Sequence, residues 1–579
     1  MAVIINETAK NPVVVIPAKA GIQNMLKSMN SGFRRNDNFR IYCYSNNIFN
    51  LATRLFFLLA LMAAIYISPS ISFAAADEQA ATFEIRVYEI SGNSLFTADT
   101  LREIVRPFTG AGKTAAAVEK ARDALEKFYH TSGYPAVLVN IPEQNVADGI
   151  VYLRVLESRV GRVKISGNRY FTTEKMLREL QSFNPGEMLY LPKVQEELGR
   201  LNRNQDIKVE PLMTPGSEPG KIDIELKVED KLPLHGYLEL NNRATQDTSD
   251  LRLNAMLRYD NLWQRAHSIA FQYQTSPQDT NEVEALSAAY VLPAPWNEDH
   301  QWVFFGVWSD SNTAFGEGFQ VTGKGKIFGT RYAVPLPPYK LYAHNITLGL
   351  DYKDFKEDVG FTTESGETTH TPVTYLPLSI AYGSVLQDSW GLTQFSAGLN
   401  MSFRGIVSDQ REFDAKRYKG TAGYFYVKAD LQRNQKLPWG MGLLMKAEGQ
   451  VSDSPLIGNE QYTAGGMESV RGYKESEALG DDAVCAKLEL SFPDPLEKSA
   501  IGKLFQMSPF IFYDFAYLGI KDPLGGQSQS ARLEGAGAGL RGTLTRYCEY
   551  EMDWAFALSE TDKTKSGDYR FYFKLKAVF

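Results

Sequence analysis

The chain has 579 residues, and its 61 Lys and Arg against 68 Asp and Glu leave a formal charge of −7, too balanced for bulk electrostatics to favour a nucleic-acid partner. With 30 Tyr, 33 Phe and only 3 Cys, the composition points to aromatic-rich β-structure. Cys43 precedes the expected mature start and Cys485 and Cys548 sit alone in separate strand-like segments, so no disulfide is expected.

Arg54 opens the run LFFLLALMAAIYI, thirteen apolar residues from 55 to 67, followed by SPSISFAAA. A bilayer-spanning helix needs about 20 residues. The shorter run fits a signal-peptide core in residues 54–76, with an A-x-A cleavage site at Ala74 and Ala76 and maturation near Asp77. Residues 1–53 match no signal peptide of ordinary length, and VVVIPAKAGIQ with GFRRNDN resembles the translation of a dispersed bacterial DNA repeat. That stretch is read as a misplaced start or an upstream graft, outside the mature protein. No later run approaches 18 apolar residues.

ISGNSLFT at 90–97 returns as ISGNRYFT at 165–172, an offset of 165 − 90 = 75 residues, so one unit is used twice. In the first copy, residues 83–158, FEIRVYEI alternates as a strand and Gly92-Asn93 turns the chain. A short helix through Leu101, Ile104 and Val105 follows. TAAAVEKARDALEKFYH then places Val118, Ala121, Leu125 and Phe128 on one helical face before Gly133 and Pro135 end it. PAVLVNI and GIVYLRVLE complete a β-α-α-β-β order, which residues 160–230 repeat through helices near 174–180 and 193–203 and strands DIKVEPLM and KIDIELKVED. This α+β unit resembles the POTRA domain, a periplasmic module found ahead of outer-membrane barrels. Edge strands of its short sheet would let an extended client add as another strand.

From Leu234 to Phe579 the texture is dyadic. LRLNAMLRYD sets Leu251, Leu253, Ala255, Leu257 and Tyr259 against Arg252, Asn254, Arg258 and Asp260, and NITLGLDYKDF and the terminal DYRFYFKLKAVF alternate in the same way. A solvated sandwich and a membrane barrel both suit alternation. Segments of about ten residues, aromatic-capped ends, the export signal and terminal Phe579 favour an antiparallel transmembrane β-barrel of about sixteen strands, closed because every backbone polar group must pair in lipid. A barrel of that size encloses an aqueous channel.

Strand eleven is expected at about 441–452 and strand twelve at about 483–492, leaving residues 453–482 as a long connection that carries GGMESVRGY. A phosphate loop would need a lysine and a following helix, which YKESEALGDD does not supply. TGAGKT at 109–114 has Pro107 where the first glycine belongs, and GAGLRG at 537–542 lacks a βαβ setting. Histidines 130, 235, 267, 300, 344 and 370 form no metal-ligand spacing, and no G-x-S-x-G elbow is present, so no metal, cofactor or catalytic residue is expected.

GG-x-x-SVRGY, with Gly465, Gly466, Ser469, Val470, Arg471, Gly472 and Tyr473, resembles the signature loop of the two-partner secretion transporters, the hemolysin secretion/activation proteins of the ShlB/FhaC/HecB family. The family's F-x-D-x-G strand has its counterpart in FIFYDFAYL: Phe512 and Asp514 match, and Ala516 stands where glycine is usual. Alternation from Phe510 turns Phe512, Asp514 and Ala516 inward and Ile511, Tyr513, Phe515 and Tyr517 toward lipid. The resemblance implies that the loop folds back into its own barrel, where Arg471 can give Asp514 a bidentate contact that Lys would not reproduce. In a wet lumen that pair would position the loop more than stabilise the fold. Gly535, Gly537 and Gly539 clear one face of the next strand for the loop. The resemblance further implies an outer-membrane translocator with periplasmic POTRA domains, a secreted β-helical exoprotein as partner, and Phe579 as the signal read by the barrel-assembly machinery. Family members commonly carry a plug helix ahead of the first module, whereas cleavage near Ala76 leaves only DEQAAT before residue 83, so either the loop alone closes the pore or cleavage falls elsewhere. A barrel-assembly insertase of the same superfamily and a passive porin are the alternatives.

Overall fold

The computed structural model describes residues 82–579 apart from 147, 247, 311–312, 316–318, 322–323, 361–367, 500–501 and 503–504. The expected extension at 1–53, the signal segment at 54–76 with its cleavage site, Cys43 and the side chain of His370 lie outside the described residues. Two compact units result, one holding residues up to 169 with 176–230, the other 231–579 with 170–175.

In the first unit the repeat seen in the sequence is a repeat of sheets. Val87–Ser91 pairs in parallel with Ile150–Glu157, which pairs antiparallel with Val137–Asn140; in the second copy Arg159–Ser166, Lys221–Asp230 and Ile207–Pro215 take the same places. Helices Ala98–Val105 and Ala115–Thr131 cover one face in the first copy, burying Leu101, Val105, Val118, Ala121 and Leu125. The last buried position of the longer helix is Tyr129 rather than Phe128, because four residues from Leu125 keep to the face better than three; Phe128 is only half-buried. TGAGKT contains an edge strand, Gly110–Lys113, antiparallel to Phe83–Ile85.

The recurring ISGN turn has a steric origin. Gly92 and Gly167 sit at φ +84° and +91°, and a Cβ on either would strike the carbonyl oxygen of Val155 or Val228 respectively. A carboxylate then caps each turn: Glu157 accepts from the backbone N–H of Ser94 at 2.8 Å and Leu95 at 3.0 Å, and Asp230 accepts from that of Arg169 at 2.9 Å. Burial pushes the Glu157 carboxyl up, but hydrogen bonds from Ser94, Leu95 and Tyr129 outweigh it and hold it below its ordinary value of 4.5. Its contribution to stability is therefore present above that value and disappears as pH falls through the lowered one. Amide exchange at Ser94 and Leu95, corrected for intrinsic rates, should accelerate in the acid interval below that ordinary value. Glu157→Gln should remove that acid-dependent step, and unchanged protection in the wild type across the interval would contradict the assignment.

The second unit is a closed antiparallel barrel of sixteen strands. They are β1 (Leu234–Asn241), β2 (Arg252–Leu262), β3 (His267–Thr275), β4 (Glu284–Ala294), β5 (Asn297–Ser309), β6 (Gly325–Tyr339), β7 (Tyr342–Gly360) and β8 (Thr368–Tyr375 continuing as Leu378–Gln387). The rest are β9 (Gly391–Ser402), β10 (Tyr424–Lys436), β11 (Gly442–Ser452), β12 (Asp482–Ser491), β13 (Gln506–Gly519), β14 (Ser530–Thr545), β15 (Cys548–Ala557) and β16 (Tyr569–Val578). Lys574–Val578 of β16 pairs with Tyr237–Asn241 of β1 and leaves no free edge. The dyad pattern sorts the faces: Leu257, Phe271, Phe304, Phe328 and Leu348 are exposed on the outside, whereas Arg252 and Asn254 are buried within. At the seam Phe579 exchanges backbone hydrogen bonds with Gly236, at 3.0 and 3.1 Å, and lays its ring where a Cβ on Gly236 would be.

Candidate functional site

Between β11 and β12 the chain does not turn in solvent but folds back as a hairpin whose arms, Tyr462–Ala464 and Ala478–Gly480, pair antiparallel. Gly465, Gly466 and Gly472 adopt φ of +109°, +101° and +106°, a region closed to most side chains. Within the tip the Gly465 N–H donates to Ser469 Oγ at 2.8 Å and the Gly466 N–H to the Val470 carbonyl at 3.1 Å. The turn is thus complete in itself and presents Arg471 sideways.

Arg471 meets the inward face of β13. Its Nε donates to Asp514 Oδ2 at 2.7 Å, its Nη2 to Oδ1 at 2.9 Å, and its backbone N–H to Oδ2 at 3.1 Å. Nη1 reaches Glu489 on β12 and Asp553 on β15, both at 3.3 Å, and the guanidinium carbon lies 3.3 Å from the ring centre of Phe512. Arg541 on β14 supplies a second cation, bonded to Glu489 and set 4.0 Å over the ring of Phe510. Burial works against the charge of Arg471, but the carboxylates outweigh it and raise its pKa, so it stays cationic at any working pH.

The rest of the signature is packed beside this cluster. Val470 is fully buried among Ala483, Cys485, Ala516, Leu518 and Leu533. The Gly472 N–H donates to the Tyr572 hydroxyl at 3.0 Å, and the Tyr473 hydroxyl reaches the carbonyls of Ser559 at 2.7 Å and Glu534 at 3.0 Å. Of the glycines at 535, 537 and 539 on β14, Gly535 clears the Arg471 carbonyl, Gly537 the Trp554 carbonyl and the ring of Phe512, and Gly539 the ring of Phe510. One glycine therefore makes room for the loop and two make room for the aromatic plates beneath the arginines.

The expectation of a wet ion pair does not hold. Arg471 and Asp514 are 2% and 0% exposed, because Phe510, Phe512, Tyr572 and the hairpin itself exclude water. Removing one member of such a pair costs far more than breaking a solvated one. Glu489, Asp553 and Arg541 went unnoticed in the sequence, although KLELSF and EMDWAF both place an acid on the inward parity of their strands.

A second anchorage holds the hairpin's first leg. Leu456 and Ile457 are buried against Phe355, Tyr375, Phe413, Tyr424 and Tyr426. Next to them Glu460 accepts from Lys353 Nζ at 2.6 Å and from the hydroxyls of Tyr375 and Tyr426 at 2.6 and 2.7 Å. Phe413 comes from a short helix, Gln410–Lys416, in the β9–β10 connection, and Arg417 following it donates to Asp481 at 2.6 Å. Between the hairpin and the β8–β11 wall a cavity of about 920 Å³ remains, lined by both signs of charge, among them Arg243, Lys428, Asp430, Lys446, Glu448 and Glu468.

Comparison with known proteins gives a consistent result. Residues 220–542 match the model of the haemolysin secretion/activation protein family ShlB/FhaC/HecB, and residues 83–158 match the ShlB-type POTRA domain. The outer membrane transporter CdiB of Dickeya dadantii is 24% identical over 390 residues, a match covering 64% of this chain and 65% of that relative's length. The heme/hemopexin transporter protein HuxB of Haemophilus influenzae is 19% identical over 486 residues, covering 81% and 82%. The solved structure of CdiB from Escherichia coli superimposes with a TM-score of 0.60 at 17% identity, covering 92% of this chain and 97% of that one, which is a likeness of fold.

Proposed function

The chain belongs to the haemolysin secretion/activation protein family ShlB/FhaC/HecB, whose model covers more than half of it, and from that premise we propose that it secretes an exoprotein by the two-partner route. It is a transporter-family protein of the outer membrane, not an enzyme, with its POTRA modules in the periplasm. The client is an unfolded, β-rich polypeptide that adopts a β-helical fold outside the cell. It first adds to a POTRA sheet edge, where strands such as Val87–Ser91 and Val137–Asn140 have, among the described residues, a sheet partner on one side only. It then passes through the barrel, and its folding outside supplies the driving force. The observation that carries this reading is the hairpin locked inside a sixteen-stranded barrel by Arg471 on Asp514. Its signature residues Gly465, Gly466, Ser469, Val470, Gly472 and Tyr473 shape and seat it, and Phe512 and Ala516 form its floor. Phe579 is the signal by which the barrel-assembly machinery inserts the chain.

Deleting the chain is expected to remove one large protein from the medium while the other outer-membrane barrels keep their abundance. Quantitative proteomics of medium and outer membrane separates this from barrel insertion, under which many barrels would decline together, and from passive diffusion, under which no secreted protein would be lost.

A further inference from the structure

At three successive hairpins of the barrel an imidazole meets a phenol on the outer face. His267 Nδ1 lies 2.5 Å from the Tyr290 hydroxyl, His300 Nδ1 2.6 Å from that of Tyr332, and His344 Nδ1 3.1 Å from that of Tyr382. Each histidine shares the outward parity of an exposed apolar residue on its own strand, Phe271, Phe304 and Leu348. All three stand beside the short turns at the end where β1 begins, the periplasmic end. Those turns carry exposed aromatics: Trp263 is 69% exposed, Trp296 65% and Tyr339 69%, as suits the headgroup layer of a membrane.

The three pairs differ in one respect. A phenol donating to Nδ1 leaves the ring proton on Nε2, and that N–H needs an acceptor. For His344 the protein provides it, the Pro337 carbonyl at 3.2 Å. For His267 and His300 no acceptor exists among the described residues. At this depth the strongest acceptor within reach is a lipid phosphodiester. We propose that His267 and His300 each hold, through Nε2–H, the phosphate of a glycerophospholipid in the periplasmic leaflet, with Trp263 and Trp296 flanking the headgroups. Arg265, on the turn beside His267, adds attraction for the phosphate. Glu298 and Asp299, which precede His300, favour a headgroup that also bears an ammonium. His344 takes no lipid.

The full chain, reconstituted in vesicles of phosphatidylethanolamine and phosphatidylglycerol and then extracted gently, can be weighed by native mass spectrometry. His267→Gln and His300→Gln should each lose one retained phospholipid, and His344→Gln none. Retention unchanged in the first two, or lost equally in the third, overturns the proposal. The wild type supplies an independent measurement should a variant fail to fold. The 15N resonances of His267 and His300 should shift between phospholipid vesicles and phosphate-free galactolipid vesicles while those of His344 stay in place, and three unmoved imidazoles would equally overturn it.

Discussion

Arg471→Ala is expected to leave a barrel that assembles and exports nothing. The substitution strands Asp514, Glu489 and Asp553 in a dry pocket with Arg541 as the one cation bonded there among the described residues, whereas the wild type holds Arg471 in contact with all three acids. Leaving a buried charge uncompensated in this way costs about 3–5 kcal/mol. That cost falls on the seating of the hairpin, because the ladder hydrogen bonds of β12 to β15 involve none of the lost atoms. Lysine should rescue little: one ammonium cannot span both oxygens of Asp514, reach Glu489 and Asp553, and lie flat on Phe512. The readouts are exoprotein in the medium and the heat-modifiable mobility of the barrel in outer-membrane fractions. Wild-type export by Arg471→Ala would refute the tether, and loss of the folded band would reassign Arg471 to barrel stability. Gly535→Val supplies a steric counterpart. It keeps every charge but sets a side chain against the Arg471 carbonyl, so it should reproduce the export defect.

What the sequence made legible was whatever depends on period and on single special residues. Alternation alone assigned Phe512, Asp514 and Ala516 to the lumen, since a strand has only two faces and lipid claims one of them. The doubled ISGN turn was visible because only glycine tolerates the approach of Val155 and Val228, so the same letters recur at the same spacing. Partnership across strands was not legible. That Glu489 and Asp553 share one guanidinium depends on the register of β12, β13, β14 and β15, set by long-range pairing and barrel shear rather than by local pattern. Dryness escaped for a related reason. Composition suggests a wet lumen, but the exclusion of water at Arg471 is produced by Phe510 and Phe512 of β13, Tyr572 of β16 and the hairpin itself, acting together from three places in the chain. The helix Gln410–Lys416 is too short to leave a periodic signal, and its value lies in one residue, Phe413, that it delivers to the loop.

Glu460→Ala should have an effect of similar size on a different observable, the resting permeability of the pore. The wild-type carboxylate ties the hairpin's first leg to β7, β8 and β10 through Lys353, Tyr375 and Tyr426, while Arg471 ties the tip to β12, β13 and β15. These anchorages lie on different arcs of the wall and, with Arg243 on Glu475 and the Thr561 and Thr564 hydroxyls on Glu477, hold the hairpin across the lumen. Without Glu460 the Lys353 ammonium is left in the aromatic pocket, again at a cost of about 3–5 kcal/mol, and Leu456 and Ile457 lose the contact that orders them. Planar-bilayer recordings should therefore show larger and more frequent openings for Glu460→Ala than for the wild type, with Glu460→Gln between them because its amide oxygen still accepts from the tyrosines. Acid should imitate the mutation. Burial pushes the Glu460 carboxyl up, but Lys353 and the two phenols outweigh it and hold it below its ordinary 4.5. The closing contribution is then complete above that value and fades as pH falls through the lowered one, so wild-type conductance should climb only below that ordinary value. A Glu460→Ala pore as quiet as the wild type would assign closure to Arg471 and the Gln410–Lys416 helix instead.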